Sequence, residues 1–218
     1  MSNVALIAGA TGLVGSSLLD QLLNGDRYVK VISLQRSQAT INHPRLVTIQ
    51  TDFTNLDEMI LPAVTDVFCC LGTTIKKAGS KEQFKKVDYS FPLALAHCAA
   101  KANAAHFLIV TAMGANASSF FFYNKVKGEL EEQLAAIKNI PAISVLRPSL
   151  LIGKRSEKRT GESIGIILAE GINTIFKTDL GIQAKDVAKA MYVLAKDPKH
   201  TGIAYYSSSQ LKEIAASA

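Results

Sequence analysis

Hydrophobic residues along the chain form short runs that alternate with longer stretches of helical spacing. Short apolar runs that stop at glycine or polar residues are typical of buried strands, whereas apolar residues at positions i, i+3 and i+4 are typical of helices. The first run, residues 4–8, is followed by a glycine-rich turn and by a stretch of helical spacing that ends near Gly25. This opening predicts a strand, a tight turn and a helix.

The same alternation continues to residue 148 and predicts an α/β protein. Further strands are predicted over residues 29–34, 46–49, 67–71, 106–110 and 143–146, with a last short strand from Tyr205. Helices are predicted over residues 81–103 (interrupted at Pro92), 123–138, 164–176 and 184–196. Strands that alternate with helices favour a doubly wound parallel sheet, the Rossmann type, with helices on both faces.

Length and composition fit one domain. The chain has 218 residues, of which 48% are hydrophobic and 19% charged, and this excludes disordered, collagen-like and coiled-coil classes. We expect a single domain over residues 1–218. The pattern loosens after Pro148, so residues 149–183 are expected to form a small elaboration on the substrate side. Little chain is left for a separate substrate domain.

The net charge of +6 suits either a nucleic acid or a small phosphorylated ligand. No recognition helix, RNA-binding signature or aromatic–basic stripe occurs, so we expect no nucleic-acid partner. Part of the excess positive charge lies at Arg36, Lys127 and residues 154–159. The longest uncharged stretch, residues 102–124, contains a histidine, several amides and a glycine, so it predicts a strand and a loop rather than a membrane span.

Cysteine and histidine spacing argues against disulfides and metals. Cys69, Cys70 and Cys98 show no Cys-x-x-Cys spacing, and the four histidines share no ligand spacing. We read the cysteines as small core residues and expect no metal site. The first residues lack the positive charge that begins a signal peptide. These features together lead us to expect a cytoplasmic protein.

The glycine-rich turn is the first candidate binding site. Gly9, Gly12 and Gly15 follow a predicted strand and open a predicted helix, which is the context of a dinucleotide-binding fingerprint. The first glycine permits the turn, the second admits a pyrophosphate, and the third packs the helix against the strand. The candidate cofactor-binding residues of this turn are Gly9, Thr11, Gly12, Leu13, Val14 and Gly15.

The second predicted strand ends without the acidic residue that usually binds the ribose of NAD. Arg36 stands there instead and can pair with a 2′-phosphate, so we expect NADP(H) rather than NAD(H). The alternative is a solvated surface arginine. Asp52 and Phe53 end the third predicted strand and are placed to meet the adenine edge, the alternative for Asp52 being a helix cap.

A Tyr-x-x-x-Lys pattern, Tyr123 to Lys127, follows the fifth predicted strand. Together with the glycine turn, it resembles the short-chain dehydrogenase/reductase superfamily in its extended and atypical branches. Further motifs make the chain similar to the Tat-interacting oxidoreductase-like family over most of its length, most weakly after about Lys177. These motifs are residues 68–74, 77–79, 87–88, 113–119, 123–129, 147–148 and 159–162.

The resemblance implies catalytic roles for three residues. Tyr123 would be the acid/base at the substrate oxygen. A phenol pKa of about 10 is too high for that role, and Lys127, one helical turn away, would lower it and bind the nicotinamide ribose. Thr111 stands where the superfamily has an orienting serine, with Ser118 and Ser119 as alternatives from the next loop. Asp88 stands where the superfamily often has an asparagine.

The carboxyl ends of two more strands complete the candidate site. In an open α/β sheet these ends face the ligand crevice. Leu71, Gly72, Thr73 and Thr74 are therefore expected beside the cofactor ribose and nicotinamide, and Arg147 and Pro148 beside the nicotinamide. The alternatives are a plain turn for residues 71–74 and a buried ion pair for Arg147.

These features predict an NADP(H)-binding oxidoreductase that transfers hydride to or from a small carbonyl or alcohol. An NADPH-sensing regulator or scaffold with a protein partner and little turnover is the main alternative, since Ala112 adjoins the weakened serine position. A nucleotide-sugar epimerase or dehydratase is a second alternative, which the short C-terminal part disfavours. Substrate, partner and oligomeric state stay open.

Overall fold

The computed structural model describes residues 2–37, 41–153, 181–196 and 200–217. Seven of the strands in these residues form one sheet in which every neighbouring pair is parallel, in the order β3-β2-β1-β4-β5-β6-β9. In chain order the strands are β1 (Asn3–Ala8), β2 (Tyr28–Gln35), β3 (Leu46–Gln50), β4 (Asp66–Cys69), β5 (His106–Val110), β6 (Ala142–Arg147), β7 (Leu150–Ile152), β8 (Gly181–Gln183) and β9 (Gly202–Ser207). The strand order reverses between β1 and β4, which is where open α/β sheets bind ligands.

Helices cover both faces of this sheet, so the predicted doubly wound fold is confirmed. The helices are α1 (Leu13–Asn24), α2 (Ile75–Ala78), α3 (Lys81–Lys85), α4 (Phe91–Lys101), α5 (Phe122–Ala136), α6 (Ala184–Lys196) and α7 (Ser208–Ala216). One hydrophobic cluster includes Leu18 of α1, Met191 of α6 and Leu211 of α7. A second cluster includes Leu95 of α4 and Leu130 of α5. Because both faces of the sheet are buried at its centre, β1, β4 and β5 appear in the sequence as mainly apolar runs.

The helix predicted over residues 81–103 is interrupted just before the predicted position. Between α3 and α4 the backbone forms one wide π-helical turn, Lys86–Ser90. Pro92 lies at the start of α4 and has no N–H to donate, so the regular helical hydrogen-bond ladder cannot pass through it. π-turns of this kind recur at functional sites. This one contains Asp88, whose side chain is 1% exposed.

The predicted elaboration at residues 149–183 is described only at its two ends. There β7 and β8 form a separate parallel pair. The predicted helix over residues 164–176 and the basic loop 154–159 lie outside the described residues. The last strand, β9, is longer than expected because it begins at Gly202. No helix within the described ranges combines the length and the apolar character needed to span a bilayer.

Candidate active site

The glycine turn between β1 and α1 packs very closely against neighbouring backbone atoms. Gly9 has a φ of +88°, and a Cβ there would lie 2.6 Å from the carbonyl carbon of Cys70. A Cβ on Gly15 would meet the backbone of the turn itself, 2.8 Å from the carbonyl carbon of Gly9. These contacts are with backbone atoms, which cannot move aside as a flexible side chain can. The fold itself therefore requires glycine at both positions.

Gly12 differs from the other two glycines. Its φ of −80° suits any residue, and a Cβ there would have only two neighbours within 4 Å, the nearer being the Gly9 carbonyl oxygen at 3.3 Å. Gly12 is also the N-cap of α1, and neither a capping side chain nor an acidic residue occupies the first helical turn. The N–H groups of Leu13, Val14 and Gly15 at this helix end are what an anion binds. An uncapped helix end at a glycine that has only these two neighbours therefore fits a dinucleotide pyrophosphate.

The loop after β4 runs beside the glycine turn. β4 is the neighbour of β1 in the sheet, with Ala8 opposite Cys69. In this loop the Thr73 N–H donates to Asp88 Oδ2 at 2.8 Å, and a Cβ on Gly72 would lie 3.5 Å from Asp88 Oδ1. The Thr74 hydroxyl accepts the N–H of Lys77 and caps α2. The loop is thus fixed at both ends, with Leu71 packed against the core beneath it.

Tyr123 and Lys127 lie one turn apart on α5, close to this loop. The Lys127 side chain is 3% exposed, and its ammonium lies 2.8 Å from Asp88 Oδ1. The Tyr123 ring is partly buried and packs against Phe84 of α3, with ring centroids 5.5 Å apart. The structure therefore brings Tyr123, Lys127, Asp88 and Thr73 together at the carboxyl edge of the sheet.

The proton affinities in this cluster depend on the buried ion pair. Burial opposes the charge on Lys127, but Asp88 and Tyr123 outweigh it and the pKa of Lys127 is raised. Burial raises the pKa of Tyr123, the Lys127 ammonium lowers it, and the Asp88 carboxylate raises it again. The net direction for the Tyr123 pKa is upward. The expected action of Lys127 on Tyr123 is therefore present, but it is outweighed.

Thr111 lies at the end of β5 with its hydroxyl engaged elsewhere. This hydroxyl donates to Glu131 Oε1 at 2.6 Å, and the Glu131 carboxylate pairs with the guanidinium of Arg147. Arg147 also stacks over the ring of Tyr205, 4.3 Å from its centroid. The ion pair considered for Arg147 is thus present, and the carbonyl oxygen of Pro148 accepts the Met113 N–H. The substrate-orienting role of Thr111 stays a prediction.

Glu131 is the site residue that sequence reasoning missed. Its side chain is 4% exposed, yet it joins the ends of β5 and β6 to α5. The signal was its spacing, because Tyr123, Lys127 and Glu131 follow one another at intervals of four residues along α5. Side chains four residues apart share a helix face. A carboxylate on the face that carries the Tyr-Lys pair therefore had to be buried beside the sheet and paired.

Arg36 and Asp52 lie at the carboxyl ends of neighbouring strands, since Gln35 of β2 is opposite Gln50 of β3. Both side chains are exposed, and the Asp52 carboxylate accepts the N–H and hydroxyl of Thr54, which lowers its pKa. These two bonds close a local turn and cap no helix, since the short helical turn that follows begins after Asn55. Phe53 has a φ of +69° and packs on Phe91. A left-handed non-glycine residue is strained, and such residues cluster at functional sites.

The cysteines are core residues, two of which, Cys69 and Cys70, lie at the carboxyl end of β4 next to the candidate site. Cys69 and Cys98 are buried and Cys70 is partly buried, and none of the three forms a disulfide. Burial raises the pKa of Cys69 to about 12, so its thiol stays protonated. Within the described ranges, no group of three or more histidine, cysteine or acidic side chains is arranged to hold a metal ion.

Comparison with known proteins places the chain in a family. A family model described as HIM1 matches residues 16–177. The chain belongs to the HIM1 family. This HIM1 protein is 34% identical over 205 residues to "Protein FMP52, mitochondrial" from Debaryomyces hansenii, covering 91% of this chain and 90% of the relative. It is 38% identical over 162 residues to "Protein HTATIP2" from Rattus norvegicus, covering 72% and 66%. The predicted resemblance to the Tat-interacting oxidoreductase-like family is confirmed.

Solved structures of the same fold include short-chain dehydrogenases/reductases and nucleotide-sugar epimerases. One of them, the Bordetella bronchiseptica enzyme WbmG in complex with NAD, superposes with a TM-score of 0.67 at 15% identity. The superposition covers 99% of this chain and 77% of WbmG. At this level of identity the likeness shows the fold alone, which is a Rossmann-like fold.

The expected cytoplasmic location is wrong. Fungal relatives of this HIM1 protein, from Debaryomyces hansenii to Emericella nidulans, are named as mitochondrial proteins. The expectation rested on cysteine usage and on the absence of a secretory signal. Both observations concern secretion and oxidising compartments, and neither distinguishes the cytoplasm from other reducing ones.

Proposed function

We propose that this HIM1-family protein is an NADP(H)-dependent oxidoreductase that transfers hydride between the nicotinamide and a small carbonyl or alcohol. One observation carries the proposal. The open glycine turn and the Tyr123–Lys127 pair share one edge of the sheet, where Thr73 and Asp88 join the loop beside the turn to Lys127. An anion-binding helix end next to a candidate acid/base is the arrangement that nicotinamide-dependent proton and hydride transfer needs.

Different residues of the chain would bind the cofactor and transfer the proton. The turn from Gly9 to Gly15 would hold the pyrophosphate through backbone N–H groups. Lys127 has three N–H donors, so one can serve Asp88 while the others remain for ribose hydroxyls. The bound nicotinamide would supply or accept the hydride. Tyr123 would give a proton to the substrate oxygen, or take one from it.

Replacement of Tyr123 with phenylalanine tests this function. We expect turnover to fall by about 100- to 10,000-fold, because the acid/base is lost. NADPH affinity should stay within about twofold, since a ring of nearly the same shape still packs against Phe84. The measurement follows the absorbance of reduced nicotinamide over a panel of aldehydes, ketones and quinones. Tight NADPH binding without turnover of any compound on the panel would exclude the enzyme.

Replacement of Arg36 with alanine tests the cofactor preference. We expect NADPH affinity to fall by about tenfold or more, because a charge-assisted contact with the 2′-phosphate is lost. NADH affinity should change little. Lys30→Ala is the matched control, because Lys30 is an exposed cation in β2, the strand that ends directly before Arg36. Equal losses for NADPH and NADH would refute the assignment.

A regulator that binds NADPH with little turnover is the second candidate. The hydroxyl of Thr111, at the position of the orienting serine, is occupied by Glu131. Ser119, one of the two alternatives, accepts the N–H of Phe121 through its hydroxyl oxygen, and Ser118 is exposed. Of the hydroxyl groups considered for this site, only that of Tyr123 would then remain to donate to a substrate oxygen. The turnover panel described above separates the two candidates.

A further inference from the structure

Asp88 is a buried carboxylate that the Tyr-x-x-x-Lys pattern does not contain. Its side chain is 1% exposed, and both of its oxygens are engaged. Oδ1 lies 2.8 Å from the Lys127 ammonium, and Oδ2 accepts the Thr73 N–H at 2.8 Å. One side chain thus joins the π-turn, the loop after β4 and helix α5. A carboxylate placed to reach both the candidate ribose-binding lysine and the candidate cofactor loop calls for a functional explanation.

The local backbone directs Asp88 into this position. Asp88 lies in the π-turn Lys86–Ser90, which directly precedes α4 and its Pro92. In a regular helix a residue's side chain follows the 3.6-residue period, and a wide turn shifts that phase. The turn therefore places a carboxylate where an uninterrupted helix would present a different position.

Few charged or titratable groups face Lys127 and Tyr123. Lys127 interacts electrostatically with Asp88 from the π-turn, with Tyr123 from its own helix and with Cys69 from β4. Tyr123 interacts with Lys127 and Asp88. The Cys69 thiol stays protonated because burial raises its pKa to about 12. Among the groups that act on this pair in the described residues, Asp88 is the only carboxylate.

We propose that Asp88 is a positioning residue that neutralises Lys127 and so adds to burial in keeping the proton on Tyr123, which leaves the site built to protonate a carbonyl oxygen. The catalytic meaning of this inference rests on the proposed function. The proton passes from Tyr123 Oη to the oxygen of the carbonyl being reduced, and the phenolate left on Tyr123 recovers a proton from water. Without Asp88, the unopposed ammonium of Lys127 would favour the phenolate, which suits alcohol oxidation instead.

Titration of Tyr123 in the protein without cofactor tests the proposal directly. Tyrosine labelled with ¹³C at Cζ reports ionisation by NMR, and the Tyr123→Phe variant identifies the signal. We expect Asp88→Asn to lower the Tyr123 pKa by about one pH unit or more, because a nearby negative charge is removed. Asp88→Glu keeps the charge and should keep the pKa near that of the wild type. Glu129→Gln is the control, because its pair with Lys85 also joins α3 and α5 but is exposed.

The double variant Asp88→Asn/Lys127→Met covers the case in which Asp88→Asn does not fold. Replacing both members of a buried ion pair by neutral groups is far better tolerated than removing one. If Asp88 cancels the charge of Lys127, the Tyr123 pKa in the double variant should lie within about half a pH unit of its wild-type value. A Tyr123 pKa that is higher in the double variant by a full pH unit or more would show that Lys127 acts unopposed in the wild type. That result would overturn the proposal. An unchanged Tyr123 pKa in folded Asp88→Asn would also overturn it. Neither readout needs a substrate, so failure of the proposed enzymatic function leaves this test intact.

Discussion

Gly15→Ala is expected to destabilise the protein by at least about 3 kcal/mol, whereas Gly12→Ala should leave the fold intact and weaken NADPH binding. A Cβ on Gly15 would press on the carbonyl group of Gly9, so α1 would have to move away from the turn. A Cβ on Gly12 has its nearest neighbour at 3.3 Å, which needs a shift of only a few tenths of an ångström. That Cβ would instead project into the space proposed for the pyrophosphate.

Urea unfolding and NADPH titration of the two variants measure these effects separately. We expect the free energy of unfolding of Gly12→Ala to lie within about 1 kcal/mol of the wild-type value. Its affinity for NADPH should fall by about tenfold or more. The two substitutions add the same methyl group within one turn, so each is the control for the other. Unchanged NADPH affinity in Gly12→Ala would contradict a pyrophosphate site at this turn. Wild-type stability in Gly15→Ala would contradict the close packing of α1.

The strand and helix pattern was predictable because burial on both faces leaves a strong signal. Runs such as residues 106–110 and 143–146 are apolar apart from His106 and Ser144, and both become interior strands of the sheet. Gly9 and Gly15 were predictable for the same kind of reason, since backbone crowding at a strand–turn–helix unit leaves no other choice of residue. Such constraints act locally and therefore appear in the local sequence.

The pairing of side chains across the site was much less predictable. Asp88 and Lys127 are 39 positions apart, and their contact depends on how the π-turn sets the phase of the helix. Nothing in the sequence around Asp88 distinguishes a carboxylate that neutralises a lysine from one that replaces an asparagine. The influence of Lys127 on the Tyr123 pKa was overestimated for a related reason: burial of the phenol in the assembled fold opposes that influence, and the charge of Asp88, which comes from another element, adds to the opposition.

Thr111 shows the same limit at the other side of the site. Its position at the end of β5 was correct, but its hydroxyl direction depends on Glu131, twenty residues further along the chain. A hydroxyl near a buried carboxylate donates to it, because an unpaired buried carboxylate is costly. Position in a strand is thus a local property, whereas the partner of a polar group is a property of the assembled fold.

Glu131→Ala is expected to destabilise the protein by about 2–4 kcal/mol, because it removes the carboxylate that Arg147 and Thr111 share. This loss of unfolding free energy should be smaller than the loss for a fully buried ion pair, because the Arg147 side chain is 35% exposed and can bind water. Glu129→Ala is the matched control. It makes the same change in the same helix, but it removes a solvent-accessible pair with Lys85 that is worth about 1 kcal/mol at most. Helix propensity changes equally in both variants, so the difference in unfolding free energy in urea isolates the contacts of Glu131. Equal losses in the two variants would contradict the view that Glu131 holds the ends of β5 and β6 against α5.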